Sequence, residues 1–143
     1  MDAMTPSTAI SSNIIQATDK LLASAIEAID ASGADWNGPL GAQHTLLVPG
    51  DLVRKVKEAM DAWTMASCEP GACERWDHPQ AAAAQNAFVA VEQVFDLPPS
   101  FLGSPSEARI PVSVMGSHLA EVQIAQAKWA QAWQPPRRYQ PKR

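Results

Sequence analysis

Cys68, Cys73 and His78 are the side chains whose types and spacing come nearest to a reactive or metal-binding set. Thiolate and imidazole are zinc ligands, and Cys-x4-Cys-x4-His supplies three of the four that a structural site needs. The fourth would have to be Asp77, Glu74 or the distant His44. The same two thiols could close a disulfide, but only in an oxidising setting that nothing else in the sequence supports. The simplest reading is two ordinary thiols in a Pro-Gly loop, so neither a metal nor a cofactor is expected.

Catalytic arrangements have less support. His44, His78 and His118 each stand near a chain breaker or a helix start, where a capping or solvated imidazole is the common case. There is no Gly-x-Ser-x-Gly turn, no HExxH and no P-loop pattern. The acidic residues are spread along helix faces as solvated charges. The expectation is a protein that is not an enzyme.

The C-terminal stretch has more substance. Prolines hold Gln134 to Arg143 extended and outside any helix. Arg137, Arg138, Tyr139, Lys142 and Arg143 on such a segment suit phosphate or an acidic groove, with the tyrosine ring free to stack. Trp129 and Trp133 lie one helical turn apart next to that tail, either closing the core or anchoring a partner. Five of the nine aromatic residues are tryptophan, a type favoured in cores and at contact surfaces alike.

Charge separates the chain into two parts. Residues 1–107 carry five basic side chains against fourteen acidic ones, whereas residues 108–143 carry six basic ones against Glu121 alone. An acidic body without a basic patch of its own argues against a nucleic-acid binder. The basic end therefore reads as an arm that docks on protein.

These residues must be carried by a folded body, and 143 residues suffice for one domain with a single core. Four stretches have helical apolar spacing. The first runs from a Thr5-Pro6 entrance through Ile10, Ile14, Ala17, Leu21, Ala25 and Ala28 to Gly33, with Ser11-Ser12-Asn13 as its weak interior. The second starts at an Asp51 cap and carries Leu52, Val53, Val56, Met60 and Trp63. The third opens at His78-Pro79 and carries Ala81, Ala84, Phe88, Val91 and Phe95. The fourth starts at a Ser117 cap with Leu119, Val122, Ala125, Trp129 and Trp133. Thr45–Val48 reads as an extended piece without an evident partner. Ile110, Val112 and Val114 alternate as a strand would, although Pro111 confines that strand to an edge. Phe101 and Leu102 are expected to cover one end of the body, and no supersecondary unit reads as repeated.

The expected fold is all-α: about four helices bundled in residues 1–134, with long irregular connections and an extended C-terminal tail over residues 135–143. Connections that long suit a subunit whose loops touch neighbours. The leading expectation is a non-enzymatic structural or adaptor subunit of a homo- or hetero-oligomeric assembly, of which a viral particle or neck component is one form. It would dock through its C-terminal helix and tail. The alternatives are a nucleic-acid accessory protein acting through the tail and a metal-dependent protein built on the Cys68/Cys73/His78 loop. No stretch reaches the apolar length of a membrane span, and the N-terminus lacks the pattern of a signal peptide. The expected location is intracellular, or inside a particle assembled in the cytoplasm.

Overall fold

A computed structural model describes residues 10–73, 76–96 and 108–132. The element order is α1 (Ser12–Ala31), β1 (Gln43–Pro49), α2 (Gly50–Ser67), α3 (Pro79–Val94), β2 (Arg109–Met115) and α4 (Gly116–Ala132). The four helices fall where the apolar spacing puts them. The all-α expectation is corrected, however, because the two apolar stretches between helices pair as a two-stranded antiparallel ribbon. Neither strand is self-sufficient in sequence. They lie 66 residues apart, counting Gln43 to Arg109, a separation at which local pattern gives no hint of partnership.

The absence of a repeat is also corrected. The order α-β-α occurs twice, and the ribbon register pairs Leu46 with Val112, positions that are equivalent under the same 66-residue offset. A pseudo-two-fold axis therefore passes through that pair. The hydrogen bonds obey it: the Gly50 N–H donates to the Ala108 carbonyl (2.7 Å) and the Gly116 N–H to the Ala42 carbonyl (2.9 Å). So do the buried faces of the helices. Gly50, Val53, Val56, Ala59, Trp63 and Ala66 of α2 correspond to Gly116, Leu119, Val122, Ala125, Trp129 and half-buried Ala132 of α4, whereas buried Met60 falls outside this match because its equivalent Gln126 is exposed. Five of those six positions are identical in type, with Val53 and Leu119 the exception.

Those junction bonds also explain two shifted helix starts. Each strand runs straight into its helix, and a ladder bond occupies the first helical N–H. Neither Asp51 nor Ser117 is needed as the cap. Asp51 instead sits in the first turn of α2, where a carboxylate complements the helix dipole. In α1 the Ser11 hydroxyl caps the Ile14 N–H at 3.3 Å, so the serine run is the helix start and not its weak interior. The Ser11 N–H in turn donates to the Ala72 carbonyl (2.8 Å), tying α1 to the loop after α2. His78 and Pro79 open α3 as expected, the imidazole accepting from the Gln80 N–H at 3.1 Å. Thr5-Pro6 and Phe101-Leu102 lie outside the described residues.

One core joins both halves. Ile14, Leu21 and Ile29 of α1, Val53 and Val56 of α2, Val91 of α3 and Leu119 of α4 meet Val48, Val112 and Val114 from the inner face of the ribbon, all at 2 % exposure or less. The outer face carries Thr45, Leu47, Arg109, Pro111, Ser113 and Met115, all exposed. Counting from the bonded Gly50–Ala108 pair, bonded and non-bonded pairs alternate, which leaves Pro111 opposite Leu47 at a non-bonded position. Its missing N–H falls on the free edge. Pro49 blunts the other edge in the same way.

Candidate protein-docking face

Trp129 is buried, 6 % exposed, and its indole N–H donates to Asp19 Oδ1 of α1 at 2.7 Å. Its counterpart Trp63 is equally buried. The Trp63 indole donates to Thr18 Oγ1 at 2.9 Å, and that hydroxyl donates onward to the Ile14 carbonyl at 2.8 Å. The ring of Trp63 stacks on Phe88 of α3 with centroids 4.7 Å apart. Trp129 borders a cleft of about 490 Å³ between α1 and α4, together with Leu22, the repeat counterpart of Phe88. Both tryptophans therefore lock their own half onto the other. Trp129 has little surface left for a partner. Trp133, Arg137, Arg138, Tyr139, Lys142 and Arg143 lie outside the described residues.

In the cysteine loop, Cys68 is an exposed free thiol and Cys73 a half-buried one. Among the described residues no three histidine, cysteine or acidic side chains lie close enough together to hold a metal ion. The His78 Nδ1 atom is engaged in capping α3. Two other ring nitrogens, His44 Nε2 on the ribbon and His118 Nδ1 in the first turn of α4, are buried without a hydrogen-bond partner among the described residues. Among the described residues no helix is long and apolar enough to cross a membrane.

The outer surface is where the two halves part company. On α1 and α2 the outward positions Lys20, Ala23, Glu27, Lys55, Glu58 and Asp61 are all exposed, and Lys55 bridges to Glu27 at 3.1 Å. The equivalent exposed positions on α3 and α4 are Asn86, Val89, Gln93, Glu121, Ile124 and Ala127. With the equivalent exposed pair Ala62 and Lys128 included, five charges on one face become two on the other, Glu121 and Lys128. Val89 and Ile124 are 46 % and 51 % exposed. They line a groove of about 320 Å³ between the two helices, with Glu121 and Lys128 also on its walls. A second hollow of about 310 Å³ shares Asn86 and Lys128 and extends past Ala82, Ala83 and Ala132. A run of alanines allows another helix to come close.

The ribbon is a weaker candidate. Two antiparallel strands have the width of a DNA major groove, but Arg109 is the one charged side chain on the ribbon's outward face. Phosphate binding draws on several cations. The prolines at Pro49 and Pro111 discourage strand addition at either edge.

No protein-family model matches the chain, and neither does any curated protein or solved structure.

Sequence reasoning found α4 and its buried face but not Val89 and Ile124. The signal was available. An apolar residue on the solvated side of a helix stands out once its charged counterpart is known, here Glu58 for Ile124. That comparison needs the repeat, which the apolar spacing alone does not reveal.

Proposed function

We propose that this protein is a non-enzymatic assembly subunit that binds protein through the outward face of α3 and α4. One observation carries the reading: the repeat unit is charged on its α1–α2 copy, while the α3–α4 copy has exchanged most of those charges for Val89, Ile124, alanines and amides. Both copies serve the same core, so folding does not require the difference. Water favours charge on a free helix face, and a contact surface favours its removal. The segment that follows α4 in sequence is basic, in contrast to the acidic remainder of the chain.

The experiment uses the full chain at its native level in its own source, separated by size under mild conditions. The wild type is expected to migrate well above its 15.4 kDa monomer. Ile124→Glu shifts it down toward the monomer, whereas Glu58→Gln, the equivalent position of the other half, leaves it in place. Wild type running as a free monomer, or both variants behaving alike, overturns the reading.

A further inference from the structure

We infer that the occupant of the α3–α4 groove is a second copy of this chain, docked with the two α4 helices antiparallel about a two-fold axis. The inference rests on the docking face proposed above and names its partner. Glu121 and Lys128 are exposed, lie two turns apart on one side of α4 and border the same groove. Their midpoint falls between Ile124 and Ala125. A two-fold axis at that midpoint brings Glu121 of each copy against Lys128 of the other, so both ion pairs form at once. An isologous contact requires this self-complementarity, in which residue i meets j and j meets i. The same operation lays each Ile124 over the groove beside Val89 of the other copy, covering the two large aliphatic side chains that α3 and α4 leave exposed. Ala82, Ala83 and Ala132 along the adjoining hollow leave room for the approaching helix.

The α1–α2 face of another copy is a poorer match. It presents Lys20, Glu27, Lys55 and Glu58 to an aliphatic groove, with Lys55 and Glu27 already paired with each other. Burying those charges against Val89 and Ile124 would strip them of water, with only Glu121 and Lys128 on the groove walls to meet them.

The test is charge reversal on the full chain, followed by light scattering across a micromolar dilution series. Wild type is expected at twice 15.4 kDa. Glu121→Lys sets two lysines face to face at each ion pair and Lys128→Glu sets two glutamates, so each single variant dissociates at least tenfold more readily. The double variant, with both reversals, recovers the dimer. Circular dichroism of each variant separates dissociation from unfolding, because both residues are exposed and their reversal leaves the helices folded. A wild type that stays monomeric at every concentration overturns the second-copy inference. If Ile124→Glu still releases the native complex, the docking face itself survives with a different partner. A dimer indifferent to all three reversals places the interface elsewhere and overturns the inference as well.

Discussion

Trp63 and Trp129 occupy the same place in the repeat but depend on unlike partners. Trp63 donates to a fully buried hydroxyl, Thr18 Oγ1, whereas Trp129 donates to the carboxylate of exposed Asp19. Replacing Trp63 with phenylalanine strands a buried acceptor and shrinks the ring stacked on Phe88. The expected cost is about 1–3 kcal/mol in urea unfolding. Trp129→Phe lets Asp19 return to water and is expected to cost less than Trp63→Phe. Equal losses would contradict the assignment of Trp63 as the more deeply used donor. At this scale the sequence was half legible. Helical spacing puts both tryptophans on buried faces, but which side chain on α1 receives each indole depends on how α1 packs against α2 within its own half and against α4 of the other.

At the scale of elements, the strand-to-helix junctions govern the architecture. A β-carbon on Gly116 would collide with the Pro39 carbonyl oxygen, in a chain segment whose Leu40 carbonyl also accepts from the Ser117 N–H at 2.9 Å. Backbone cannot yield as a flexible side chain does. Gly116→Ala is therefore expected to lower stability by about 1–3 kcal/mol, and Gly41→Ala, whose added carbon meets nothing within 4 Å, to stay within about 0.5 kcal/mol of wild type. Thermal or urea unfolding of the pair checks this, and equal midpoints would contradict it. The helices were readable because each repeats an apolar residue every three or four positions. The ribbon was not, because Thr45–Val48 and Ile110–Val114 acquire meaning only together. Once β1 and β2 are aligned, Gly50 with Gly116 and Trp63 with Trp129 fall into step and the duplication becomes visible. Intervening loops of unlike composition hide it from a linear reading.

For the whole molecule, the twice-occurring α-β-α order accounts for the single core, and the unlike outer faces of the two copies account for the surface. Two α-β-α units share a ribbon and pack α1 against α3, so both halves contribute to one core. The outer faces are free to drift apart. The α1–α2 face stays charged, and the α3–α4 face becomes aliphatic with Glu121 and Lys128 spaced to meet their own copies. On this account the molecule is an internal pseudo-dimer that uses its less charged side to pair again. Site-directed cross-linking tests this pairing most directly. A cysteine placed at Ile124 in a Cys68→Ser, Cys73→Ser background should face its own copy close to the two-fold axis, at a separation a disulfide can span. Under mild oxidation the protein should run at twice 15.4 kDa on a non-reducing gel and revert on reduction, while a cysteine at Glu58 stays monomeric. A cysteine at Ile124 that fails to cross-link in concentrated protein, or one at Glu58 that links equally well, would contradict the account.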